Sequence, residues 1–206
     1  MPHKLKSSAR RSRRNNKLYA IGFVIVVIAI ISGVLIYRQL GANNNNNGSD
    51  QPVKVLLQTS MGNITIQLRT DMPITTGNFK NLVQQGVYDG TIFHRVINNT
   101  TPHMIQGGDP TGTGMGDPSI PAIPDEFTSS NHNNRGTIAM ANAGANTGSS
   151  QFFINTENNN YLDSAHPVFG EVTDGMDVVD AISNVPRDQN DKPLTNVTII
   201  KAEILP

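Results

Sequence analysis

Gly136–Ile154 reads GTIAMANAGANTGSSQFFI. Two short apolar runs flank a loop of small and polar residues. The spacing predicts a strand over 136–141, a glycine-bearing loop, and a second strand over 151–155. Polar groups sit where apolar strands have least use for them. Asn142 stands between Ala141 and Ala143, and Gln151 directly precedes Phe152 and Phe153. Ser149 and Ser150 lie in Gly-Ser-Ser-Gln, which lacks the GxSxG pattern of a nucleophile elbow.

Upstream, the same mixture recurs. Phe93-His94-Arg95-Val96-Ile97 and Met104-Ile105-Gln106 are strand-like runs with a guanidinium and an amide among apolar neighbours. Such an Arg faces solvent, pairs with an acid or lines a site. Val53–Leu68 predicts a hairpin, with Val53, Val55 and Leu57 alternating, then Ile64, Ile66 and Leu68, around Ser60-Met61-Gly62-Asn63. Asp71–Gly86 predicts a helix, with Pro73 in its first turn, Phe79, Leu82 and Val83 on one face and Gly86 as its stop. Thr91–Ile97, His103–Gln106 and Val168–Val172 read as further short strands. Met176–Ile182 reads as a second helix, with Met176, Val179 and Ile182 on one side. Val197–Leu205 reads as a last strand alternating through Val197, Ile199 and Lys201. Many short strands with two helices and no βαβ alternation argue for a closed or sandwich-like antiparallel sheet capped by helices.

The chain has 206 residues, 16 Lys+Arg, 16 Asp+Glu and no Cys. Cysteine-based zinc sites, iron–sulfur clusters, disulfides and thiol nucleophiles are therefore excluded. The zero net charge hides two unlike parts. Residues 1–49 hold eight bases and no acid, whereas residues 50–206 carry the other eight bases against all sixteen acids, a net of −8. An acidic body is a poor polyanion binder, so no nucleic-acid partner is expected. Leu18–Tyr37 is twenty residues without a charge, long enough as a helix to cross about 30 Å of hydrocarbon. The expected order is a basic cytoplasmic tail over 1–17, a transmembrane signal anchor over 18–37, an Asn-rich tether over 38–52 and a folded domain over 53–206. The basic flank places the N-terminus in the cytoplasm and the domain outside the cell membrane. A cleaved signal peptide is the rival reading, with Leu40-Gly41-Ala42 as its weak cleavage site.

No motif for metal or nucleophilic chemistry emerges. His94, His103, His132 and His166 are not at HxH or HExxH spacing. A Ser–His–Asp set using His166 and Asp109 is conceivable only as scattered residues. Gly107–Gly116, GGDPTGTGMG, lacks the GK[ST] ending of a phosphate loop and reads as a tight turn needing positive φ. Asp125-Glu126 reads as a surface turn.

Taken in order, these segments resemble the cyclophilins, a family of peptidyl-prolyl cis/trans isomerases. Phe93-His94-Arg95-Val96-Ile97 resembles the family's FHR strand, and Met104–Asp109 its MIQGGD run. Gly136–Ile154 resembles its longest signature. Leu162-Asp163 with His166-Pro167-Val168-Phe169-Gly170 resembles its last. The likeness covers roughly Val53–Leu205 and looks like a membrane-anchored, bacterial-like member. It implies an eight-stranded antiparallel closed β-barrel with two helices, preceded here by one transmembrane helix.

The implied activity is rotation about X–Pro bonds, whose barrier of about 18–20 kcal/mol comes from amide resonance. Twisting the amide localises a lone pair on the prolyl nitrogen, and a guanidinium aimed there stabilises only the twisted state. The resemblance gives Arg95 that role. It gives Gln106 the orientation of Arg95 and the substrate carbonyl, and the Asn142 backbone the peptide's register. Met104, Phe153 and Leu162 would cup the proline ring, with His166 at the edge. Ala141 and Ala143 would leave room for the preceding residue, and Gln151 would line the groove. Phe152, one residue out of phase with Phe153, is expected in the core. Three departures stand out. His103 replaces the usual Phe before Met104, the 98–103 connection is longer than usual, and Tyr161 stands where many members carry Trp. His103 and Tyr161 are thus expected on the substrate wall, with altered preference and reduced cyclosporin affinity. No metal and no cofactor is required. The expected substrates are proline-containing segments of exported or cell-surface polypeptides, and a monomer suffices. A non-catalytic Pro-peptide-binding chaperone or scaffold is the alternative.

Overall fold

The computed structural model describes residues 52–206. β1 (Lys54–Thr59) and β2 (Gly62–Leu68) form the predicted hairpin, with Thr59 opposite Gly62 and only Ser60 and Met61 in the turn. Thr59 closes it, its hydroxyl accepting from the Met61 N–H at 3.1 Å and donating to the Gly62 carbonyl at 2.6 Å. Alternation buries Val55, Leu57, Ile64, Ile66 and Leu68 on one side.

α1 (Pro73–Gln84) follows, and it buries Phe79, Leu82 and Val83. Pro73 suits its first turn because that N–H would be an orphan anyway. The amides of Ile74 and Thr75 donate instead to the Glu126 carboxylate, at 3.1 and 3.0 Å to Oε2. Asp125-Glu126 is therefore not the plain surface turn expected. It satisfies a helix N-terminus, where a negative charge also meets the favourable end of the dipole.

β3 (Arg95–Ile97), β4 (Met104–Gly107), β5 (Thr137–Met140), β6 (Phe152–Asn155), β7 (Val168–Asp174) and β8 (Ile199–Ile204) complete the sheet, with α2 (Met176–Ser183) between β7 and β8. The order is β3-β4-β6-β5-β7-β2-β1-β8, every ladder antiparallel. α1 packs on β7 and β8, while α2 packs on β2, β3 and β4. The core gathers aromatic rings: Phe79 lies 5.0 Å from Tyr88, 5.1 Å from Phe169 and 5.6 Å from Phe152. Each such buried ring contributes about 1.5–3 kcal/mol from burial alone. The Tyr88 hydroxyl is satisfied by the Ser150 carbonyl at 3.1 Å.

Two expectations need correction. The barrel is open, not closed, because the end strands β3 and β8 share no ladder. Residues 91–93 cross the seam by single contacts, with the Phe93 N–H donating to the Val197 carbonyl and the Ile199 N–H to that of Thr91. The run expected as one strand over 91–97 is therefore a strand only from Arg95. The last strand also breaks its alternation. Gln58 pairs with Lys201 but Thr59 with Ile199, so a bulge leaves Ile200 and Lys201 both exposed and shifts burial to Ala202.

Among the described residues no helix is long and apolar enough to cross a membrane. The transmembrane helix expected over 18–37, with its basic tail and nearly all of the tether, lies outside the described residues.

Candidate active site

Arg95, Gln106, Phe153, Ala139 and Val168 form one row across five strands. Arg95 is opposite Gln106, Gln106 opposite Phe153, Phe153 opposite Ala139 and Ala139 opposite Val168. Opposed residues of an antiparallel ladder point to the same face. Here it is the outer face, because the residues next to them in sequence, Val96, Ile105 and Phe152, point the opposite way and lie in the main core. A second row sets Ile97 opposite Met104. Ile97, Met104, Ala139, Phe153 and Val168 form a separate apolar cluster, with Ala141 and Leu162 packed against it. Its floor is nearly covered, Met104 at 4% and Phe153 at 2% exposure, and the exposed Arg95 stands beside it. Arg95 makes no ion pair among the described residues.

His166 closes one side. Its ring stands edge-on to Phe153 with centroids 5.3 Å apart. Its Nδ1 lies 3.0 Å from the Met140 carbonyl, an acceptor only, so that nitrogen carries the hydrogen. A ring held this way is a wall. The segment bearing Leu162 and His166 is tied down by Asp163, whose Oδ1 accepts from the Asn133 N–H at 2.7 Å and whose Oδ2 faces His132 Nδ1 at 3.1 Å. Burial works against the Asp163 carboxylate, but the Asn133 and His132 contacts outweigh it and hold the carboxyl below its usual range.

Asn142 turns its side chain away, donating to the Ala165 carbonyl at 2.7 Å. Its main-chain N–H and C=O have no partner among the described residues. They are free to pair with an extended peptide. The loop carrying Ala141–Ala143 is pinned by Asp125, which exchanges two 2.8 Å bonds with Asn146, and by Thr147, which accepts from the Ala143 N–H at 2.8 Å. Gln106 Nε2 donates to Gln151 Oε1 at 3.0 Å. A hollow of about 160 Å³ beside them is lined by Gly114, Met115, Ala143 and Thr147 among others. Larger hollows of about 430 and 480 Å³ lie around Arg69 and beside α1.

Tyr161 is 58% exposed on a short helical turn next to Leu162. His103 is not brought into the group. It lines a polar hollow with Asn98, Arg135, Thr156 and Glu157, because successive residues of a strand point to opposite faces and Met104 takes the groove side. The scattered Ser–His–Asp set is not assembled either. Asp109 turns inward onto its own loop, bonding the amides of Thr111, Gly114 and Gly116. That loop has Gly108, Gly112, Gly114 and Gly116 at positive φ. A Cβ on Gly108 would also stand 2.7 Å from the Ser150 carbonyl. Ile97, Ala139 and Val168 were absent from the sequence-based site. The signal for Ile97 was present, two residues from Arg95 on the same strand.

Residues 54–204 match the family described as cyclophilin type peptidyl-prolyl cis-trans isomerase/CLD. The chain is 44% identical over 155 residues to peptidyl-prolyl cis-trans isomerase-like 1 of Neurospora crassa, covering 73% of this chain and 93% of that one. It is 46% identical to peptidyl-prolyl cis-trans isomerase ppi1 of Schizosaccharomyces pombe, covering 73% and 98%. A crystal structure of a Cryptosporidium parvum cyclophilin type peptidyl-prolyl cis-trans isomerase superposes with a TM-score of 0.70 at 32% identity, covering 75% of this chain and 98% of that one. These matches correct the expected location. The Neurospora crassa and Schizosaccharomyces pombe relatives are fungal isomerases whose names carry no membrane designation. The single-pass, extracytoplasmic, bacterial-like placement is withdrawn, and with it the exported clients. The chain belongs to the cyclophilin-type peptidyl-prolyl cis-trans isomerases.

Proposed function

We propose that this chain isomerises X–Pro bonds by stabilising the twisted amide with Arg95. The observation that carries the reading is the row Arg95–Gln106–Phe153 on the outer face, with a buried apolar floor beside a guanidinium that makes no ion pair among the described residues. The proline ring lies on Met104, Phe153 and Leu162. Arg95 then reaches the prolyl nitrogen as its lone pair localises. A planar amide offers that nitrogen no lone pair, so the interaction strengthens only on the way to the transition state. Gln106 orients Arg95 and the substrate carbonyl, and the free main-chain groups of Asn142 hold the peptide extended. His166 is wall, and Ala141, Ala143 and Gln151 border the preceding residue. A second Cryptosporidium parvum structure, 33% identical with a TM-score of 0.69, was determined in the presence of the dipeptide Ala-Pro, which supports a proline peptide as the substrate class. The test is a proline isomerisation assay on the full-length chain with an Ala-Pro-containing peptide. Acceleration lost in Arg95→Ala supports the reading. Peptide binding without any acceleration by the parent chain overturns it in favour of a binding module.

A further inference from the structure

We propose that Asp109 is a positioning residue for the isomerisation. Through a fixed loop it sets which end of the Gln106 amide faces Arg95. The inference rests on the roles given to Arg95 and Gln106 above.

Asp109 has no exposed surface. Its Oδ1 accepts from the Thr111 N–H at 2.9 Å and the Thr111 hydroxyl at 2.8 Å. Its Oδ2 accepts from the Gly114 N–H at 2.7 Å and the Gly116 N–H at 3.2 Å. Both oxygens face donors, which only a carboxylate can accommodate; an amide in its place would set its own NH₂ against main-chain N–H groups. The loop is also seated from below, since a Cβ on Gly114 would stand 3.3 Å from the buried ring of His94.

The loop held this way presents the Gly114 carbonyl, which accepts from Gln151 Nε2 at 3.1 Å. A carbonyl cannot become a donor, so it dictates the rotamer of the Gln151 amide. Gln151 Oε1 then faces Gln106 and accepts from Gln106 Nε2 at 3.0 Å. Gln106 is left with Oε1 for the side toward Arg95, its partner in register across the ladder. An amide oxygen there can accept from the guanidinium, whereas an amide NH₂ would set donor against donor. The order Asp109, Gly114, Gln151, Gln106, Arg95 thus carries one polarity from a buried charge to the reacting group. Neither glutamine could keep that polarity alone, since each can rotate its terminal amide by half a turn.

The experiment is a double-mutant cycle on the full-length chain, read as kcat and KM for proline isomerisation. Asp109→Asn frees the loop and lets the amides turn, so kcat should fall about tenfold with KM nearly unchanged. Gln151→Met removes the link between the loop and Gln106, so it should itself lower kcat about tenfold with KM nearly unchanged. In the Gln151→Met background the Asp109→Asn change should cost almost nothing, because the link it acts through is already gone. An equal loss in both backgrounds overturns the relay and leaves Asp109 a loop anchor. Should Asp109→Asn not fold, Gln151→Met alone decides. The relay requires a loss of about tenfold in kcat with KM nearly unchanged, and an unchanged kcat overturns it. Arg95→Ala run alongside separates the two failures. An active Arg95→Ala overturns the catalytic reading itself, whereas an inactive one with no coupling overturns only the relay.

Discussion

Phe152 and Phe153 are neighbours in the chain and belong to different clusters. Phe152 is in the aromatic core, 5.6 Å from both Phe79 and Tyr88, while Phe153 floors the outer groove with Met104 and Ala139. A single strand with a two-residue repeat thus faces the main core on one side and the outer apolar cluster on the other. The groove rests directly on the core, which is how a shallow surface site keeps its geometry.

A buried, unpartnered imidazole makes stability depend on pH. His94 is 7% exposed, and neither ring nitrogen has a hydrogen-bond partner among the described residues. Burial lowers its proton affinity; Asp109 works against that, and Arg95 and Lys192 reinforce it. The unfolded chain binds this proton near pH 6.5, whereas the folded one resists it, so stability should fall as pH drops below about 6.5. His94→Leu should flatten that slope between pH 7.5 and 5.5, and it should be nearly neutral at pH 7.5 because no bond is lost. Urea unfolding across this range measures it, and an unchanged slope in the variant assigns the effect to other groups.

Buried asparagines link the residue before β4 to the His166 segment. Asn159 accepts from the His103 N–H at 3.1 Å and donates to Asn155 Oδ1 at 2.8 Å. Asn155 donates to Asn133 Oδ1 at 3.2 Å, and Asn133 to the His166 carbonyl at 3.3 Å. Asn155→Ala leaves Asn133 without this donor and Asn159 without this acceptor in a site with no exposed surface at Asn155. The expected cost is about 1–3 kcal/mol, and at roughly 2–4 °C per kcal/mol the melting temperature drops by several degrees. Calorimetry on parent and variant checks this, and an unchanged melting temperature would show that the chain carries no net stability.

His103 stands where a groove residue was expected, yet it lines the hollow of Asn98, Arg135 and Thr156. His103→Phe should therefore leave kcat/KM for proline isomerisation within about twofold of the parent. A loss beyond tenfold would return His103 to the substrate path.

Strand alternation and motif order suffice to bring Arg95, Gln106 and Phe153 to one face, since they need only a period of two and the correct ladder to meet. The supports were not legible. Glu126 caps a helix 51 residues away and Asn133 reaches Asp163 across 30 residues, and no local pattern encodes such partners. Asparagine runs such as Asn131–Asn134 and Asn158–Asn160 look like solvated loop, although Asn131, Asn133 and Asn159 are buried. The bulge that exposes Ile200 and the open seam at Ile92 depend on how strands pair, which the pattern of a single strand does not contain.

Arg95→Ala is the decisive variant. The side chain is exposed and makes no ion pair among the described residues, so its loss should not move the melting temperature. One preorganised donor aimed at developing charge is worth about 10²–10³ in rate, roughly 2.7–4 kcal/mol. The rate of proline isomerisation by Arg95→Ala should fall by that factor, with peptide affinity falling less. Arg95→Lys should recover only part, because an ammonium does not reproduce the planar fork. A folded Arg95→Ala chain isomerising at near-parental rate would contradict the mechanism.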